Sequence, residues 1–186
     1  MMFTMRDFHK IKNGIKCLEP ETYFCPKLNK LAYTLSRLDP YAIGQCGEKL
    51  MARRLRQNGY DVKRHGGTKS FDILLNDNIR CEVKTAKMFP KHTKKGSKSI
   101  CVFSGVKPEC FDILFMIFIT PNGLVTKWSE QKHVKKYTQN LTRQDSGYYL
   151  YFDATCDNAN MAYNDDIRDF FKFYPNSLKK VGTVGR

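Results

Sequence analysis

The chain has 186 residues, with 32 Lys and Arg against 18 Asp and Glu, a formal charge of +14 and a pI near 9.5. A field of that sign favours polyanions, either nucleic acid or an anionic membrane surface. Hydrophobic residues at 41% and aromatics at 13% fill one well-cored domain, and the length is short for two.

A single domain is therefore expected, divided into an N-terminal extension (1–38), a core (39–153) and a C-terminal helix and tail (154–186). The extension has scattered apolar positions without a clear period and reads as irregular or short-helical. At Asp39-Pro40 a helix begins with a good cap and Pro in its first position, and it ends near Asn58-Gly59. Gly44, Gly47, Met51 and Leu55 recur on one stripe, and Glu48 stands at the margin of that packing face. A carboxylate there is costly without a partner, whether a bound cation or a nearby Lys or Arg. Tyr60–Lys63 reads as a short strand and Arg64–Gly67 as a turn.

Next comes Ser70-Phe-Asp-Ile-Leu-Leu-Asn-Asp-Asn-Ile-Arg-Cys-Glu-Val-Lys-Thr85, a hairpin. If Asn76-Asp77-Asn78 is its loop, Leu75 pairs with Ile79, Ile73 with Cys81 and Phe71 with Val83, so one face is apolar. Asp72 and Glu82 then pair on the opposite face, and Lys84 follows on that face because strand side chains alternate. A two-residue loop would mix the charges with the apolar set, so the pattern itself selects the register.

Lys87 to Lys98 is cationic and aperiodic around Pro90 and Gly96, and reads as a flexible basic loop. Ile100–Ser104 is a strand, Phe111–Thr120 a buried strand, and Leu124–Trp128 its hairpin partner across Pro121-Asn-Gly123. A short basic helix capped by Ser129 (129–137), a strand (147–153) and an amphipathic helix (165–174) complete an α/β (α+β) pattern, a mixed β-sheet flanked by helices. The longest apolar run, Ile113–Ile119, is too short to span a membrane, and the N-terminus lacks the apolar segment of a signal peptide. Seven scattered cysteines without a C-x-x-C pair suit reduced thiols. No membrane role and an intracellular, cytoplasmic location are expected.

Helix Glu48, then Asp72, then Glu82-Val83-Lys84 on a hairpin, then a hydrophobic strand, resembles the PD-(D/E)XK nuclease superfamily over roughly residues 40 to 130, and most of all type II restriction endonucleases. One departure is Phe71, which stands where the motif has Pro. The resemblance implies a restriction-endonuclease-like core and a Mg²⁺-dependent endonuclease acting on double-stranded DNA, with Mn²⁺ able to substitute. Asp72, Glu82 and the Val83 backbone carbonyl would hold the metal, because hard oxygen donors suit Mg²⁺. Lys84 would orient or help deprotonate the attacking water and offset phosphate charge. Glu48 would bind a second metal or a metal-bound water, assisted by Gln45 one helical turn earlier. The bland alternative is a surface ion pair between Lys84 and one of the acids.

Lys63, Arg64, His65 and Lys69 on one side, and Lys87, Lys91, Lys94, Lys95 and Lys98 on the other, are the candidate DNA contacts; they would position the backbone without reading sequence. Lys127, Lys132, His133, Lys135 and Lys136 form a second basic cluster. A palindromic target would call for a homodimer. A structure-selective nuclease, such as a junction resolvase or repair enzyme, shares this core, and a non-catalytic basic DNA-binding module is the rival from another class.

Overall fold

The computed structural model describes residues 29–65, 69–93, 96–121, 123–153 and Phe170. Helix α1 spans Lys30–Ser36, with Asn29 capping it by accepting from the Ala32 N–H at 2.9 Å. Helix α2 spans Pro40–Gln57; Asp39 caps it through the Ala42 N–H at 3.0 Å, and Pro opens its first turn. Its buried residues are Ile43, Gly47, Glu48, Met51, Ala52 and Leu55. The expected stripe is thus present, and Glu48 lies inside it.

Among the described residues, eight strands follow: β1 (Val62–Arg64), β2 (Ile73–Leu75), β3 (Ile79–Lys87), β4 (Phe89–Thr93), β5 (Gly96–Val106), β6 (Ile113–Thr120), β7 (Gly123–Glu130) and β8 (Tyr148–Asp153), with α3 (Gln131–Thr138) between β7 and β8. They form a five-stranded sheet in the order β1-β2-β3-β6-β7 and a three-stranded sheet in the order β4-β5-β8. Only β3 and β6 run parallel in the larger sheet, so it is mixed. The fold class is α+β.

Alternation along β3 and β6 explains the layers. Cys81, Val83, Ile113, Phe115 and Ile117 pack with Met51, Ala52 and Leu55 of α2 and with Phe170. Ala86, Leu114, Met116 and Phe118, on the other face, pack with Cys101, Phe103 and Leu150 of the smaller sheet and Val134 of α3. Strand β6 is buried along its whole length, as its unbroken apolar run requires.

Three expectations are corrected. The supposed basic loop from Lys87 to Lys98 is largely a hairpin: Lys87 ends β3, and β4 pairs with β5 in the register Phe89–Ile100, Lys91–Lys98 and Thr93–Gly96. Lysine-rich strands at a sheet margin show no hydrophobic alternation, so the pattern was invisible. Ser129 is fully buried within β7, and Glu130 occupies the N-cap of α3 without a side-chain cap bond. Lys127 of the second basic cluster is also buried, at 8% exposure.

Of the helix expected at 165–174, Phe170 alone is described: it is helical, fully buried and packed edge-on against Phe115 and Trp128. Among the described residues, no helix is long and apolar enough to cross a membrane.

Candidate active site

Strands β2 and β3 pair as Ile73–Cys81, Leu74–Arg80 and Leu75–Ile79 around Asn76–Asn78, the register demanded by the apolar pattern. Asn76 and Asp77 adopt positive φ of 50° and 62°, which Asn and Asp tolerate better than most side chains. The loop is anchored to the start of β1. Asn76 N–H donates to the Asp61 carbonyl at 2.9 Å, and Asn76 Oδ1 accepts from the Asp61 N–H at 3.0 Å.

The expected Phe71–Val83 pair does not form, and Asp72 lies just before β2 instead of within it. Asp72 N–H donates to the Cys81 carbonyl at 3.1 Å, while its Oδ2 accepts from the Val83 N–H at 2.8 Å. The carboxylate therefore takes the Val83 N–H that the extended ladder would have used, which fixes the side chain beside β3. Phe71 turns instead to His65, ring to ring at 5.1 Å and nearly perpendicular.

Glu82 and Lys84 occupy alternate positions of β3 and form an ion pair at 2.8 Å, with side chains 12% and 24% exposed. Burial pushes the Asp72 carboxyl above the usual range against the opposing pull of the Val83 N–H; Glu48 adds to the rise, and Lys84 and Arg64 counter it. Burial likewise raises Glu82, with Lys84 drawing it down and Asp72 and Glu48 pushing it up. Three carboxylates thus lie within electrostatic reach of one another, and two cations temper them.

The partner that Glu48 required is Arg64. Nη2 of Arg64, the last residue of β1, meets Glu48 Oε2 at 2.9 Å. Sequence reasoning placed Arg64 among DNA contacts and missed this pairing, although a carboxylate on a packing face and an arginine at the end of the next strand were both readable. Gly105 was also missed. Its φ of +67° lies at the register shift of β5 between Phe103 and Val106, and a Cβ there would stand 3.8 Å from Lys84 Nζ. An isolated Gly inside a strand pattern was the available signal for this bulge.

The other expected site residues are dispersed. Gln45 is half-buried on α2. Lys63 is paired with Asp77 at 2.6 Å on the hairpin tip, and Lys87 Nζ donates to the Ser36 carbonyl at 3.2 Å. Lys69 is exposed. Lys91 and Lys98 face each other in register across β4 and β5, whereas Lys94 and Lys95 lie outside the described residues.

The donor set fits a hard divalent cation. Asp72 and Glu82 are half-buried, and each is raised by burial and by a neighbouring carboxylate, Glu48 on Asp72 and Asp72 with Glu48 on Glu82, a repulsion that such an ion relieves; Mg²⁺ needs only one or two carboxylates because water fills its other positions. Among the described residues, no three His, Cys, Asp or Glu side chains form a ready-made metal cage. Asp72 and Glu82 are the pair available.

No protein-family model matches the chain, and no curated protein matches it. Among solved structures, a bacterial homing endonuclease, I-Ssp6803I, aligns at a TM-score of 0.43 and 11% identity, over 74% of this chain and 94% of that one.

Proposed function

We propose that this chain is a Mg²⁺-dependent endonuclease that hydrolyses phosphodiester bonds of double-stranded DNA, in the manner of a site-specific, type II restriction-like enzyme. The observation that carries the reading is the convergence of Asp72, Glu82 and Lys84 at β3, with both acids raised by burial and by neighbouring carboxylates. A bare surface ion pair accounts poorly for two acids held this far from water.

Asp72 and Glu82, with the Val83 carbonyl, would hold the metal, which when bound supplies Lewis-acid neutralisation of the phosphoryl oxygens and a more acidic water. Asp72 is held in place by its bond to the Val83 N–H, so its orientation is set before any ion arrives. Lys84 has three donors: one serves Glu82, and the others are free by number to orient the attacking water and neutralise a phosphate oxygen. Attack of the water oxygen on phosphorus with departure of the 3′ oxygen leaves 5′-phosphate and 3′-hydroxyl ends. The +14 charge supports a polyanionic substrate.

The test is digestion of plasmid DNA with and without Mg²⁺. Discrete bands mean sequence specificity, selective cutting of branched DNA means a structure-selective nuclease, and binding without cleavage means a non-catalytic module. Asp72→Asn and Lys84→Ala should each lower cleavage by about 10² or more while leaving DNA binding largely intact. Unchanged cleavage in both variants overturns the assignment.

A further inference from the structure

Glu48 sits where a carboxylate needs a cation, and the cation it has belongs to the protein. Arg64 Nη2 lies 2.9 Å from Glu48 Oε2, with the two side chains 25% and 11% exposed. Arg64 stands opposite Ile73 in the β1–β2 register, next to Asp72, and its charge is felt by the Asp72 carboxyl. Its Nε is buried and without a hydrogen-bond partner among the described residues. A guanidinium does not deprotonate, so this is a permanent positive charge at the inner edge of the acidic group.

We infer that Arg64 is a built-in cation standing in for a second divalent ion beside Glu48, so that the site takes one divalent ion, at Asp72 and Glu82. The inference rests on the metal-dependent reading above.

Charge and geometry both favour it. Glu48, Asp72 and Glu82 against Arg64 and Lys84 leave a single net negative charge, which one divalent ion more than neutralises. A second ion at Glu48 would have to evict Arg64 or share its carboxylate with a guanidinium at hydrogen-bond distance, and like charges that close repel strongly in a half-buried site. Arg64 acts here as a positioning residue, because it engages Glu48 and balances charge without binding the ion.

Calorimetric titration of the chelator-treated full chain with MnCl₂, without DNA, counts the ions directly. The wild type should bind one Mn²⁺ per chain, and Asp72→Asn should abolish or strongly weaken that binding. Glu48→Gln should still bind one Mn²⁺, with affinity lowered by less than about tenfold, because the amide oxygen still accepts from Arg64 and only a neighbouring negative charge is lost. Arg64→Met exposes Glu48 and should gain a second Mn²⁺. If that variant does not fold, as far-UV circular dichroism would show, Glu48→Gln decides alone.

Two Mn²⁺ on the wild type, or a loss of about tenfold or more in affinity on Glu48→Gln, makes Glu48 a metal ligand and overturns the inference while the nuclease reading stands. No Mn²⁺ on the wild type overturns both.

Discussion

Asp72 and Glu82 have carboxyl pKa values raised by burial, so the metal-free fold holds their protons more tightly than the unfolded chain does. The stability they contribute is fully present below their ordinary values of 3.8 and 4.5 and is lost as pH rises through the raised ones. Chelator-treated protein should therefore lose urea stability on this account as pH climbs from 4.5, and saturating Mn²⁺ should restore it. The Asp72→Asn/Glu82→Gln double variant should show a shallower loss. Equal slopes in wild type and variant would mean that the two acids are not strained. Asp112 has the opposite sign: Arg80 holds it through Nη2 at 2.7 Å and draws its pKa down, so its contribution is lost as pH falls. That Glu82 and Lys84 share one strand face was legible because alternation sorts charged from apolar positions, whereas Asp72 comes beside them through its bond to the Val83 N–H and not through a strand pair. Arg64 as the partner of Glu48 was not legible, because only the packing of α2 beside β1 brings together residues 16 apart in sequence.

Among the elements, α2 shows most directly how close packing overrides local preference. A Cβ on Gly47 would stand 1.8 Å from Thr85 Oγ1 and 2.9 Å from Thr85 Cβ, so helix and β3 meet at a glycine. Gly to Ala in an isolated helix gains roughly 1 kcal/mol, whereas overpacking a filled core costs about 1–3 kcal/mol. Gly47→Ala should thus destabilise on balance, by about 1–2 kcal/mol in chemical denaturation. Adding Thr85→Ala removes the 1.8 Å contact and should recover part of the loss, but not all, because the Cβ at 2.9 Å remains. Full additivity of the two substitutions would show that they do not meet. The β4–β5 hairpin is the contrasting element. Its lysines hide the strand period, and its order comes from the partner it finds: β8 pairs with the far side of β5, with Cys101 opposite Phe152 and Phe103 opposite Leu150.

For the whole molecule, α2, the five-stranded sheet and the three-stranded sheet with α3 form successive layers, and Glu82 and Lys84 share a strand face with Ala86 of the second core. For the proposed duplex DNA substrate, the +14 charge predicts binding driven by counterion release. With about six or more phosphates engaged, affinity should fall on the order of 10³-fold between 50 and 200 mM salt. Neutralising Lys94 and Lys95, the residues between β4 and β5, should make log K against log salt less steep. A salt-independent affinity would remove DNA as the partner. The amino-acid sequence by itself determined the α+β class, the helix from Asp39, the buried strand at 113–120 and the β2–β3 register, because caps, apolar runs and period-two alternation are local signals. Only the tertiary structure decided that β4–β5 is a sheet margin, that Asp72 takes the Val83 N–H before β2 begins, and that Arg64 meets Glu48. Each of these depends on which distant group arrives to satisfy a buried charge or an open backbone N–H, and that is settled by packing.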